Sequence, residues 1–186
     1  MKVSDEMWGL RKLISSCVLS AALLAIFSTA NAQAGKATVY KIPEAGIQIN
    51  LPAGWDAEKD AKGVVVISRK DAGGYVLFSL SVVDTIPSIS FDELFGAFSQ
   101  GVLENVKKDW KNFTSAAVMK NTQGGMAVRA QKFEGNMADS GGDLEGLVIL
   151  IDSPKPLGIF AQRTKKHSEV LENEGDAILT SISKIP

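Results

Sequence analysis

The chain offers one imidazole, His167, and one thiol, Cys17. Histidine is the side chain best suited to general base work near neutral pH. His167 lies between Lys166 and Ser168, beside Lys165, where a helical periodicity begins. A base also needs a nucleophile in reach and a partner to orient it, and no local motif supplies either. The expectation is a solvent-exposed helix histidine with no catalytic duty.

Asp139, Asp143 and Glu145 form the nearest thing to a hard-cation cluster. Oxygen ligands on a glycine-rich loop suit calcium, but the spacing fits no EF-hand. Gly141-Gly142 serves equally as a turn between strands, so no metal site is assigned. Asp56, Glu58 and Asp60 alternate in a polar stretch, Asp56 to Lys62, read as a solvated loop. Trp55 follows Pro52-Ala53-Gly54 and could stack on a ligand or close one end of the core; the plug is expected. No Gly-x-Ser-x-Gly elbow, phosphate loop or His-Glu-x-x-His is present. Asn112-Phe113-Thr114 is a glycosylation sequon only in a eukaryotic secretory route. No catalytic, cofactor-binding or metal-ligating residue is assigned, and a non-enzymatic role is expected.

Residues 1–32 read as an export signal. Arg11 and Lys12 precede an apolar run from Leu13 to Phe27, and Ala30-Asn31-Ala32 fits the small-x-small pattern of signal peptidase. Cleavage between Ala32 and Gln33 is expected, with Ala34-Gly35 as the fallback. A spanning helix needs about 20 apolar residues, and this run is shorter and carries serines. Ile14-Ser15-Ser16-Cys17 loosely resembles a lipoprotein box but sits at the beginning of the apolar segment rather than after it. Asp5 and Glu6 are unusual in a leader, and Met7 offers a cleaner basic start. The expected destination is the periplasm or the exterior, with no transmembrane segment in the mature chain.

The leader holds three of the 20 basic and two of the 21 acidic residues, which leaves 17 and 19 in residues 33–186, a net charge of about −2. That balance gives no electrostatic reason for a nucleic-acid partner. Cys17 leaves with the leader, so disulfides, cysteine zinc sites and thiol catalysis are excluded from the mature chain. Its 154 residues suffice for one packed domain, placed at 37–186.

The elements that would carry these residues alternate in period. Val39 to Ile42 and Gly46 to Leu51 read as strands around Pro43, with Ile47, Ile49 and Leu51 on one face. Val64 to Ile67 and Tyr75 to Val83 flank a hairpin connection at Asp71-Ala72-Gly73-Gly74. Ser90-Phe91-Asp92-Glu93 fits a capping box. Phe91, Leu94, Phe95, Phe98, Val102, Val106 and Trp110 then recur at helical spacing over about five turns. Lys107, Lys108 and Lys111 gather where a helix end favours cations.

Strands resume at Phe113 to Met119 and Met126 to Phe133, turned at Gln123-Gly124-Gly125. Gly135 to Gly142 reads as a loop. Leu144 to Ile151 is apolar on both parities at its end, the mark of a central strand covered on both faces. Pro154-Lys155-Pro156 precedes a last strand, Leu157 to Gln162. A second helix is expected from Thr164 to about Ser183, with Val170, Leu171, Ala177, Ile178 and Ile182 inward; Gly175 weakens it by about 1 kcal/mol. Connections too short for parallel crossovers give an α+β class, an antiparallel sheet with two main helices. Phe98 and Ile149 are placed in its core.

Tyr40-Lys41-Ile42-Pro43, then Gly46-Ile47-Gln48-Ile49-Asn50-Leu51-Pro52-Ala53-Gly54-Trp55, the Ser-Phe-Asp-Glu helix start and the closing Ala177-Ile178-Leu179-Thr180-Ser181-Ile182 carry a likeness along the mature chain. The sequence resembles the PsbP-like superfamily, named for an extrinsic photosystem II protein and including small bacterial envelope proteins of the DcrB type. The resemblance implies a central antiparallel sheet between helices, an α/β/α sandwich, used mostly as a non-enzymatic binding or assembly module. It carries no photosystem partner over, because no partner-binding residues match.

The expectation is therefore an exported, non-enzymatic binding or assembly module of the bacterial cell envelope, with a protein partner there. Two other classes have distinct structural signatures. A carrier of a small apolar ligand would show a pocket between helix and sheet, lined by the phenylalanines of the first helix. A hydrolase working with carboxylates alone would show two acidic side chains converging in a cleft.

Overall fold

The computed structural model describes residues 36–85, 87–139 and 142–186. The leader, the Ala32–Gln33 bond and Cys17 lie outside the described residues.

β1 (Thr38–Ile42) and β2 (Ile47–Leu51) pair antiparallel across the one-turn helix at Pro43–Ala45. Gly46 closes that turn at φ 66°, the left-handed region that glycine enters without strain. The chain then builds β3 (Asp56–Lys59), β4 (Val65–Lys70) and β5 (Tyr75–Val82) as an antiparallel meander. Asp56 to Lys59 is thus an edge strand, not a solvated loop. A strand at the rim packs only one face, here through Ala57, so polar residues suffice elsewhere along it.

α1 (Phe91–Asp109) starts at the expected capping box, with Ser90 and Glu93 satisfying each other's backbone donors. It ends one residue before Trp110, which is extended and opens β6 (Trp110–Ser115). β7 (Met119–Gln123) follows, so the expected strand from Phe113 to Met119 is two strands with a break between them. β6 and β7 pair with different stretches of the 12-residue β8 (Met126–Met137). β8 runs through Gly135, shortening the expected loop at 135–142. β9 (Asp143–Ile151) and β10 (Leu157–Thr164) complete the large sheet, in the order β3-β4-β5-β10-β9-β8-β6 with β7 also on β8.

α2 spans Glu169–Thr180, not Thr164 to Ser183. Pairing with β5 and β9 keeps β10 extended through Arg163, and Ser168 then caps α2 by accepting from the Leu171 N–H. β11 (Ser183–Lys184) returns to pair with β2, giving a small sheet β1-β2-β11.

Three layers result, an α+β sandwich. One face of the large sheet presents Phe133, Val148, Leu150 and Phe160 to Leu94, Phe95, Phe98 and Leu103 of α1. The other presents Val76, Phe78, Leu80, Ile149 and Ile159 to the small sheet and to Leu171 and Ile178 of α2. Phe98 and Ile149 are buried as expected, at 5% and 8% exposed. Val170 and Ala177 are exposed rather than inward: the buried stripe runs through Leu171, Gly175 and Ile178, and each of the two sits one residue, about 100°, off it. Among the described residues no helix is long and apolar enough to cross a membrane.

Candidate functional site

α2 packs on β5 of the large sheet. Beside it, residues of α2 and of β5, β8, β9 and β10 line a cleft of about 150 Å³. Its floor is apolar: Val76, Phe78, Leu147 and Ala161 from the sheet, Leu179 from the helix. Gly175 is buried where α2 rests on β5. A Cβ there would stand 3.4 Å from Val76 Cγ1 and 3.7 Å from Phe78 Cζ, ordinary contact distances, so the residue read as a weak point in the helix lies on its sheet-facing side.

One end of the cleft is ionic, and its organiser is Arg163. The antiparallel register sets Arg163 on β10 directly opposite Glu145 on β9. Its Nε donates to Glu145 Oε1 at 2.7 Å, while Lys132 of β8 holds Oε2 at 2.9 Å. From α2, Glu172 lies 3.4 Å and Asp176 4.0 Å from the two guanidinium nitrogens. Burial pushes the Glu145 carboxyl up, but the hydrogen bonds and charges of Lys132 and Arg163 outweigh it and hold the pKa below its ordinary value. Glu145 is therefore ionised and spent on two cations. It is neither a free cation ligand nor a proton donor.

His167 joins the edge of this network. It precedes α2 and its side chain is only 9% exposed, so it is not a solvent-exposed helix histidine. Its Nδ1 lies 2.6 Å from the Thr164 carbonyl, which can only accept, so that nitrogen carries hydrogen. Its Nε2 faces Glu172 Oε2 at 3.3 Å. Its contacts are structural, tying the β10–α2 turn to the first turn of the helix. Lys165 is drawn away to Glu134 at 2.8 Å, and that pairing raises the lysine pKa.

The other residues singled out by type are dispersed. Asp143 accepts from Asn136, Glu145 is in the cleft, and Asp139 is exposed. Among the described residues no three His, Cys, Asp or Glu side chains are grouped to hold a metal ion. Trp55 is buried against Phe78 with ring centroids 5.8 Å apart, and its Nε1 donates to Glu174 Oε2 at 2.8 Å. It plugs the core and anchors α2, where Glu174 also pairs with Arg69.

The phenylalanine face of α1 is filled rather than hollow. Phe98 covers Gly158, and Phe133 stacks on Phe160 at 5.7 Å and meets Trp110 at 5.3 Å. The cleft lies on the opposite side of the sheet from where a carrier pocket was expected. Sequence reasoning missed Lys132, Arg163, Glu172 and Asp176. Its one usable signal was Glu172 and Asp176 at i and i+4, which places both on one face of a helix.

Neither a protein-family model nor a curated protein matches the chain. Among solved structures, it is similar to the cyanobacterial PsbP protein CyanoP from Synechocystis, with TM-score 0.55 and 14% identity over 86% of this chain and 98% of that one. It is also similar to LpqN, involved in cell envelope biogenesis of Mycobacterium tuberculosis, with TM-score 0.52 and 15% identity over 81% and 91%. These likenesses define the class: the fold is PsbP-like, as the sequence resemblance implied.

Proposed function

We propose that this protein is an exported, non-enzymatic binding or assembly module of the bacterial cell envelope. The observation that carries the reading is the cleft beside α2, open to solvent and apolar at its floor. The ionic groups at its one end are committed to one another. Acid–base hydrolysis by two carboxylates needs one carboxyl kept protonated near neutral pH, and Glu145, the most enclosed carboxylate in the cleft, is held ionised. Such a surface recognises rather than reacts. Similarity to a protein involved in cell envelope biogenesis supports the location, as does the leader with its cleavage expected between Ala32 and Gln33. A single domain over residues 37–186 is part of the proposal.

Carriage of a small apolar ligand is the second reading, favoured by the same cleft. Pockets that enclose drug-sized ligands run to about 300–1,000 Å³, so a cleft of about 150 Å³ admits only a small group. The test is cross-linking in the native envelope with the processed protein as bait, run beside Leu179→Arg, which places a charge on the half-buried helix wall of the cleft. Adducts formed by the wild type and lost in the variant support the module. Adducts that persist unchanged in Leu179→Arg, or no adduct at all, refute it.

A further inference from the structure

The two helices are fixed to the sheet in different ways. α1 buries Leu94, Phe95, Phe98 and Leu103, whereas the large side chains that α2 buries are Leu171 and Ile178. Between Glu169 and Thr180, α2 carries four carboxylates and no cation, so its charge has to be met from outside the helix. Isolated helices shorter than about 12–15 residues are marginal in water. The 12 residues of α2 include Gly175 near the middle and no cation in the last turn. Its helical form therefore depends on what it is docked to.

Strand register sets the groups that meet those carboxylates. Arg69 of β4 stands opposite Val76 of β5, and Val76 stands opposite Arg163 of β10. Directly opposed residues share a face, so two arginines flank Val76, about 9–10 Å apart at two strand spacings. Gly175 rests on Val76, and its chain neighbours diverge to the two sides. Glu174 pairs with Arg69 and accepts from Trp55 Nε1, while Asp176 lies 4.0 Å from Arg163. Glu172, one turn before Asp176, lies 3.4 Å from the same guanidinium and 3.3 Å from His167 Nε2. At this i, i+4 spacing the two carboxylates would repel without the cation between them. Arg163 is also held by Glu145, whose other oxygen takes Lys132. The ends of α2 are tied separately: Ser168 Oγ donates to Asp71, and Gln123 Nε2 donates to the carbonyls of Leu179, Thr180 and Ile182.

We infer that α2 is a strap, held shut across β5 by Arg69 and Arg163, that opens between its two tied ends before the rest of the domain unfolds. Opening uncovers Val76 and Phe78, which lie beneath Gly175 and also floor the cleft. The strap thereby governs how much apolar surface the cleft offers, whatever it receives.

Native-state hydrogen exchange of the processed protein, read by mass spectrometry on peptides covering α1 and α2, tests this. In wild type, α2 should exchange faster than α1 while β9 and β10 stay protected. Arg69→Gln should lower α2 protection by about two- to fivefold, the range of a single ion pair, and leave α1 unchanged. Lys120→Gln removes a cation paired with Asp92 of α1 and should leave α2 as in wild type. Raising sodium chloride from about 0.01 M to about 1 M shortens the screening length from about 30 Å to about 3 Å. That should lower α2 protection in wild type as well, so the test stands even if Arg69→Gln does not fold. Exchange of α2 and α1 in step would mean that α2 opens only with the whole domain, and overturns the inference. So does α2 protection unchanged by salt or by a folded Arg69→Gln, because Leu171 and Ile178 would then hold the helix without the arginines.

Discussion

Gly158 and Phe98 offer a quantitative test of how α1 sits on the sheet. A Cβ built on Gly158 would lie 2.5 Å from Phe98 Cζ, 2.8 Å from its Cε2 and 3.0 Å from Val83 Cγ2. Carbon contacts settle at about 3.5–4.0 Å, so the ring would have to retreat by about 1 Å. Phe98 is 5% exposed between α1 and β10, and close packing leaves it little room to do so. Gly158→Ala should therefore destabilise by about 1–3 kcal/mol as an overpacking change. Phe98→Ala should cost about 3–5 kcal/mol through lost burial and a cavity. In the double variant the added methyl meets no ring and only the 3.0 Å contact with Val83 Cγ2 remains, so most of its penalty is lifted and part of the cavity is filled. The double variant should be no less stable than Phe98→Ala alone, a favourable coupling of about 1–3 kcal/mol. Urea unfolding of the four proteins, followed by tryptophan fluorescence, measures this directly. Costs that add to within about 0.5 kcal/mol would show that Phe98 does not cover Gly158, and the α1 layer would have to be redrawn.

Four further outcomes follow from other contacts. Ser90→Ala removes the capping box of α1 and should cost about 1 kcal/mol, a melting-temperature loss of roughly 2–4 °C in a domain of this size. Trp55→Phe keeps the ring against Phe78 but leaves Glu174 without its indole donor, and should cost about 1–2 kcal/mol in chemical denaturation. The Glu145 pKa is lower folded than its ordinary value of 4.5, so its contribution is present above that value and is lost as pH falls through the folded one. Melting temperature should therefore fall on acidification below about pH 4.5 more steeply in wild type than in Glu145→Gln; parallel curves would mean Glu145 is not held by Lys132 and Arg163. Mass spectrometry of native material should give an N-terminus at Gln33, and an intact leader or a lipid on Cys17 would overturn the proposed export.

What the sequence disclosed depended on how locally each feature is determined. α1 was legible because a capping box and an apolar stripe lie within one contiguous segment. β9 was legible because a strand covered on both faces is apolar on both parities. β3 was not, since Asp-Ala-Glu-Lys at a rim has no alternation to read; its strandhood comes from pairing with β4. The start of α2 was misread because Lys165 and Lys166 suit a helix by composition. The structure gives them to a turn held by Asp71, whose carboxylate takes the Gly73 and Gly74 amides and the Ser168 hydroxyl. The cleft was the least legible feature. Lys132, Glu145, Arg163 and Asp176 come together only through strand register and helix docking, and neither is written in the spacing along the chain. The same holds for His167, enclosed because Glu172 and the Thr164 carbonyl close on it from two sides.

β11 bears on the order in which the molecule can be completed. β2 is the middle strand of the small sheet, and its second neighbour is Ser183–Lys184, more than 130 residues further along the chain. The Ile185 amide donates to the Gly46 carbonyl, and Gln123 gathers the carbonyls of Leu179, Thr180 and Ile182 just before β11. Closing so long a loop is entropically slow, and contacts of this separation form late. A ribosome still adding residue 170 therefore holds a chain whose first hairpin has no third strand and whose face of the large sheet lacks its helix. The fold is latched from its far end, and until that latch closes the apolar side chains of β2 remain within reach of whatever handles the nascent chain.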